Sequence, residues 1–331
     1  MVDLDRNSLV VAASADHEAL LAAVAAGHIR TAARLISRIE RDEPEVVPIL
    51  QALYCTGGRS RIVGVTGPPG AGKSTLINCL VRHWRQNGLK VAVLAVDPSS
   101  PFSGGAVLGD RLRMADHSGD AGVFIRSMAS RGHLGGLSRA TGDALTVLDA
   151  MPWDIVLIET VGVGQSETDI MRHASVVVLL QTPMGGDDVQ AAKAGINEIG
   201  DVFVVNKSDN KEADRTVQML EEMIALGQRL HSERTWRPPV VKTQATRGEG
   251  VADLAGHIDR CFADHVDDSV AARQRDRARM RFRVGEILRD MLDRHMRSDD
   301  GQWLDSLLDP VISRTSDPYA LAATMLDRAA R

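Results

Sequence analysis

The chain has 331 residues, 44% of them hydrophobic and 25% charged, with a formal net charge of −5, which is enough apolar material for one large or two modest globular domains. The slight negative charge and an aromatic content of 3% give no footing for nucleic-acid binding. The opening MVDLDRNS has no basic stretch followed by a long apolar one, and the plain apolar run Val176–Leu180 is far too short for a bilayer, so a cytoplasmic protein without membrane contact is expected.

Residues 14–55 carry Leu20, Leu21, Val24, Ile29, Leu35, Ile36 and Ile39 at roughly helical spacing and little strand signal. They predict an N-terminal helical extension over 1–57, which a helix packed on the core would also satisfy. The apolar run Ile62–Val65 then leads into GPPGAGKS at 67–74 and a helix-compatible stretch Lys73–Gln86. Strand, glycine-rich loop and helix in that order are what a phosphate-binding P-loop requires. Gly67, Gly70 and Gly72, with Pro68, Pro69 and Ala71 between them, turn the backbone so that successive N–H groups face phosphate oxygens, and the helix N-terminus adds partial positive charge. Lys73 reaches the outer phosphates, and Ser74, followed by Thr75, offers a hydroxyl to Mg²⁺, a hard cation that takes oxygen ligands.

A second strand, Val91–Val96, ends at Asp97 and opens the segment DPSSPFSGGAVLGDRLRM at 97–114. Its prolines, glycines and polar oxygens suit a loop that rearranges around a phosphate, and Asp97 or Asp110 can approach Mg²⁺ or its waters. Strands at Val123–Ile125 and Asp154–Ile158 follow, the latter leading to ETVGVGQSE. Glu159 occupies the strand end where a P-loop enzyme places its metal-linked acid, with Gly162 at a γ-phosphate contact. Taken singly, each of these acids has a capping or surface carboxylate as its lesser alternative; together, at consecutive strand ends, they point to the metal.

After the strand Val176–Leu180 and the loop Pro183–Lys193, the strand Val202–Val205 runs into Asn206-Lys207-Ser208-Asp209, an N-K-x-D pattern. A carboxylate at Asp209 accepts from guanine N1–H and the 2-amino group, whereas adenine leaves it unpaired. Lys207 lays its aliphatic stem along the base, and Asn206 ties this loop to the P-loop. Past the run Val240–Lys242, a backbone N–H of Thr243-Gln244-Ala245 is placed to meet guanine O6. Short apolar strands alternating with helices predict an α/β fold, a P-loop NTPase domain over 58–265 with a mainly parallel sheet flanked by helices. Its ligands bind beyond the carboxyl ends of the strands. Residues 266–331 read as helical throughout, with Met280, Val284, Ile287, Leu288, Met291 and Leu292 in an apolar stripe among many arginines. That pattern fits a solvated face or a dimerisation arm.

With these motifs in place, the chain resembles the methylmalonyl-CoA mutase-associated GTPases, the MeaB-like group also known as ArgK or LAO/AO transport-system ATPases. The resemblance is carried by GVTGPPGAGKST at 64–75, VDPSSPFSGGAVLGDRLRM at 96–114, IETVGVGQSE at 158–167, PMGGDDVQAAKAG at 183–195 and VNKSD at 205–209. It covers essentially the whole chain. It implies a Mg²⁺-dependent GTPase that binds GTP and GDP, forms homodimers through a C-terminal helical extension, and serves as a G-protein chaperone for the adenosylcobalamin-dependent mutase, gating cofactor loading and protecting the enzyme. Lys73 and Ser74 fall on the family's phosphate and metal positions, Asp97, Asp110 and Glu159 on metal and water-organising positions, and Asp187 and Lys193 in a switch that responds to the partner. Thr243-Gln244-Ala245 stands where a serine-alanine pair is more usual. No glutamine occupies the water-orienting position of Ras-like proteins, Gln165 lying further along, so slow intrinsic hydrolysis is expected.

Rival readings are a kinase or ATPase linked to arginine and ornithine transport, against which NKSD argues, and a metal-delivery GTPase for nickel or zinc. A nucleotide-sensitive binding module with incidental turnover is a third. The ten histidines are scattered, and Cys55, Cys79 and Cys261 lie far apart with no C-x-x-C, so each cysteine reads as a small packing residue rather than part of a zinc or disulfide framework.

Overall fold

The computed structural model describes residues 15–58, 60–97, 115–117, 119–129, 139–160, 169–183, 200–230, 236–266, 270–297 and 302–329. Three N-terminal helices, α1 (Ala15–Ala25), α2 (Ile29–Glu40) and α3 (Val47–Thr56), precede an alternation of strands and helices. That alternation comprises β1 (Arg61–Thr66), α4 (Lys73–Gln86), β2 (Val91–Asp97), β3 (Val123–Ala129), α5 (Arg139–Asp149), β4 (Ile155–Thr160), β5 (Val176–Gln181), β6 (Val202–Asn206), α6 (Ala213–Leu230), β7 (Val240–Thr243) and α7 (Val251–Cys261). The helices α8 (Val270–Arg297), α9 (Gln302–Ile312) and α10 (Pro318–Ala329) close the chain.

The strands form one seven-stranded sheet in the order β3-β2-β4-β1-β5-β6-β7, with every pairing parallel. All residues of β4, β5 and β6 are buried, which is why these strands read as unbroken apolar runs: helices cover both faces, so neither set of alternating side chains meets water. In β2 the period of two sorts residues cleanly, Val91 and Val93 joining one core and Ala92 and Leu94 the other. The first core packs α4, through Leu76, Ile77, Leu80 and Trp84, and α7, through Leu254 and Ile258, against the sheet. The second is built by the N-terminal helices and α5. A smaller cluster seats Leu220 and Ile224 of α6 on Phe203 and Val205.

The N-terminal helices are therefore one cover of the sheet. Ala32, Leu35, Ile36 and Ile39 of α2 are buried at helical spacing, and Arg126 of β3 bonds Glu40 and, at 3.0 Å, Ser37 Oγ. Gly64, mid-strand in β1, is required by close approach: a Cβ there would lie 2.6 Å from Ile170 Cγ1. The chain divides into two units, Met1–Asp276 and Arg277–Arg331, so the boundary falls inside α8. Among the described residues, no single helix is long and apolar enough to cross a membrane.

Candidate functional site

β1 lies between β4 and β5, and the chain leaves it in one direction to reach β2 and later in the other to reach β5. A crevice opens at the carboxyl end of such a strand, and residues 67–72 turn there. Gly67, Gly70 and Gly72 all have positive φ, at 143°, 75° and 94°, a region that disfavours side chains. Two of the three are also sterically required. A Cβ on Gly67 would lie 2.2 Å from the carbonyl oxygen of Leu180, and one on Gly72 would lie 2.4 Å from Asn206 Nδ2.

Helix α4 starts at Lys73, the residue at which the sequence predicts it. The Lys73 ammonium donates to the carbonyls of Gly67 at 2.7 Å and Pro68 at 3.0 Å, so it is held over the loop it serves. Ser74 Oγ donates to Glu159 Oε1 at 2.5 Å, and both residues are buried. Glu159 reaches this position because β4 pairs with β1 in a register that sets it beside Val65. One residue on, Thr160 Oγ1 donates to Thr66 Oγ1 at 2.9 Å, joining the two strand ends beneath the loop. Thr75 is exposed on the helix.

The second half of the site grows from the ends of β6 and β7, where Asn206 pairs with Thr243. Asn206 is 3% exposed and bonds in three directions. Its Nδ2 donates to Ala71 O at 2.8 Å, and its Oδ1 accepts from Thr243 Oγ1 and from the Ala245 amide, each at 3.1 Å. Lys207, with φ of 58°, donates from Nζ to Gly70 O at 3.0 Å. Asp209 is exposed, its carboxylate open to a ligand. The amide of Gln244 donates to Glu249 O at 3.0 Å, so the loop after β7 closes on itself. Of the three residues whose amides are candidates for guanine O6, Gln244 and Ala245 thus already have protein acceptors, and a base that uses the Ala245 donor must share it with Asn206.

Three features of this loop and of α4 are not predicted by the sequence. Gly248 and Gly250 both have positive φ, and a Cβ on Gly250 would lie 2.1 Å from Lys242 O; the G-x-G spacing was the available signal. Cys79, read as a packing residue, donates its thiol to Ala245 O at 3.0 Å. Asp116 and His117 also fasten onto α4, His117 Nε2 lying 3.3 Å from Asn78 O and Asp116 accepting from Arg82 at 3.1 Å.

Asp97 closes β2 beside Ala129, on the same edge as the P-loop; its side chain lies outside the described residues, as do Asp110, Gly162, Gln165, Asp187 and Lys193. The described part pairs a phosphate-facing loop and lysine with a carboxylate that can read a base. On the other side of the loop, at the end of β4, Ser74 and Glu159 set a hydroxyl and a carboxylate together, the hard oxygen donors that suit Mg²⁺.

The chain is similar to known proteins along most of its length. The family model described as methylmalonyl-CoA mutase-associated GTPase MeaB matches residues 32–300. The protein PH0274 of Pyrococcus horikoshii is 44% identical over 302 residues, covering 91% of this chain and 95% of its own. GTPase ArgK of Escherichia coli is 39% identical over 221 residues, 66% of each chain. The mouse methylmalonic aciduria type A homolog, mitochondrial, is 43% identical over 194 residues, 58% of this chain and 46% of its own. Among solved structures, a LAO/AO transport system kinase superposes with a TM-score of 0.68 at 24% identity, covering 97% of this chain and all of the other, a likeness of fold.

Proposed function

The chain belongs to the MeaB family of methylmalonyl-CoA mutase-associated GTPases, and from that premise we propose that it is a Mg²⁺-dependent GTP hydrolase acting as a G-protein chaperone for an adenosylcobalamin-dependent methylmalonyl-CoA mutase. The observation that carries the guanine-nucleotide part is Asn206, which bonds the N-K-x-D turn once to the P-loop at Ala71 and twice to the end of β7 and the loop after it. Base and phosphate loops are thereby held as one site.

In this reading the Lys73 ammonium exchanges its carbonyl partners for phosphate oxygens, a stronger charge-assisted pairing. Asp209 accepts from guanine N1–H and the 2-amino group, and the Lys207 stem lies along the base. Ser74 and Glu159 hold Mg²⁺ or its waters, with Asp97 and Asp110 as further ligands; the ion, when bound, supplies positive charge at the outer phosphates. The P-loop amides fix the phosphoryl group, and catalysis is mainly positioning and electrostatics. Gly162 contacts the γ-phosphate, while Asp187 and Lys193 relay the partner's presence.

We further propose a homodimer through the C-terminal helices. Val284, Ile287, Leu288 and Met291 recur at helical spacing on α8 and are 47%, 36%, 54% and 60% exposed, an apolar face that a second copy would cover. Phosphate release tests the activity: turnover of GTP well above ATP is expected, rising when an adenosylcobalamin-dependent mutase is added. ATP turnover equal to GTP would overturn the base assignment, and an unchanged rate with the mutase would overturn the chaperone role.

A further inference from the structure

The contacts around Ala245 close a circuit. Ala71 ends the P-loop's tight turn and leads into α4; Cys79, on the second turn of α4, donates to Ala245 O at 3.0 Å. The Ala245 amide donates to Asn206 Oδ1 at 3.1 Å, and Asn206 Nδ2 returns to Ala71 O at 2.8 Å. Cys79 and Ala245 are 166 residues apart in the chain. No local pattern produces such a contact, and it fastens the loop after β7 to the P-loop helix.

We propose that Cys79 is a positioning residue for base recognition: its thiol holds the Ala245 carbonyl and so fixes the backbone on one side of the Ala245 amide, the donor that guanine O6 would share with Asn206. Ala245 O also accepts from the Gly248 amide at 3.2 Å, so the peptide after Ala245 is held by two donors while the peptide before it is held by Asn206 through the Ala245 amide. Releasing the carbonyl would free ψ of Ala245 and loosen the turn that carries its amide. The thiol suits the role because it is partly enclosed by the core around Leu76 and Leu254. Burial pushes its pKa above the ordinary thiol value, only partly offset by Arg82, and the proton it donates stays in place.

The inference rests on the guanine-nucleotide reading. It is tested by calorimetry on the full chain with two probes, GDP and the 2-aminopurine riboside diphosphate, which keeps the 2-amino group and lacks O6. Cys79→Ala and Cys79→Val, the latter filling space without donating, should each weaken GDP binding roughly fivefold, the size of one neutral hydrogen bond. Both should leave 2-aminopurine binding unchanged. Cys79→Ser, which keeps a donor, should restore GDP binding to within about twofold of the parent. Equal losses for both probes, no loss for GDP, or a serine variant as weak as alanine would each overturn the proposal. Failure of the parent protein to bind GDP would instead overturn the function proposed above, so the two failures are distinguishable.

Discussion

Replacing Asn206 with alanine removes one side chain and strands three groups: the Ala71 carbonyl, the Thr243 hydroxyl and the Ala245 amide. Ala71 and Thr243 expose no surface and Ala245 only 4%, so water replaces the lost partners poorly. A buried polar group left unpaired costs about 1–3 kcal/mol. The Thr243 hydroxyl can turn to another acceptor, so two penalties near 1.5 kcal/mol remain, about 3 kcal/mol in all. At roughly 2 °C per kcal/mol for a protein of this size, the nucleotide-free melting temperature should fall by about 6 °C. A double-mutant cycle with Thr243→Val sharpens the test. In the parent, losing that hydroxyl should cost about 1 kcal/mol; in Asn206→Ala, where its Asn206 acceptor is already gone, it should cost less. Added GDP should raise the melting temperature of Asn206→Ala less than that of the parent, because binding energy enters stability through affinity. A fall below 1 °C, strict additivity in the cycle, or an undiminished GDP increment would refute the view that Asn206 unites the two loops.

Lys73→Ala should abolish GTP turnover in a phosphate-release assay, and Ser74→Ala should weaken GDP binding with Mg²⁺ more than without it; equal losses in calorimetry under both conditions would remove Ser74 from the metal's ligands. Asp209→Asn costs guanine a charge-assisted bond of roughly 1.5–3 kcal/mol and gives xanthine a donor for its C2 carbonyl, so competition assays should show preference moving from GTP towards XTP. Asp187→Ala and Lys193→Ala should hold intrinsic hydrolysis within a few-fold of the parent while sharply reducing its stimulation by an adenosylcobalamin-dependent mutase, measured at saturating nucleotide. Asp120 has its pKa lowered by the Arg85 hydrogen bonds and the Gly122 amide, so its stabilisation is present above the unfolded carboxylate value near pH 4 and is lost as pH falls through the lower folded value. Urea unfolding should therefore show Asp120→Asn destabilised at neutral pH and converging on the parent in acid.

The seven strands were legible because a parallel interior strand has no solvent face to encode, and each apolar run became one. Their ends were less so. The run Val123–Ile125 continues to Ala129 in β3, and what hid the continuation is Arg126, a charged residue mid-strand whose guanidinium is taken up by Glu40 and Ser37. The same contact explains why the N-terminal helices read as an extension. Their apolar spacing announces a buried stripe, while the partner, a strand some 86 residues away, leaves no mark in the local pattern. In the site, the P-loop and N-K-x-D were legible because each is a contiguous run with its own chemistry. Cys79 and the Gln244–Glu249 closure were not, since a thiol and a backbone amide gain meaning only from what tertiary packing sets beside them.

Strand order supplies what the motifs alone lack, the distance between them. The P-loop leaves β1 and the N-K-x-D turn leaves β6, and one strand, β5, lies between. Adjacent strands are about 4.8 Å apart, so the two motifs start roughly 10 Å apart on the same edge of the sheet. A side chain can cross that gap only because each loop turns toward the other. The positive φ of Gly72 brings Ala71 O within reach of Asn206, and the missing Cβ there leaves room for its amide. Any residue with a Cβ at Gly72 would push Asn206 back, widening the interval that sugar and phosphates must span. In the proposed function, phosphate affinity and base choice are therefore coupled through a glycine of the phosphate loop that need not touch the base.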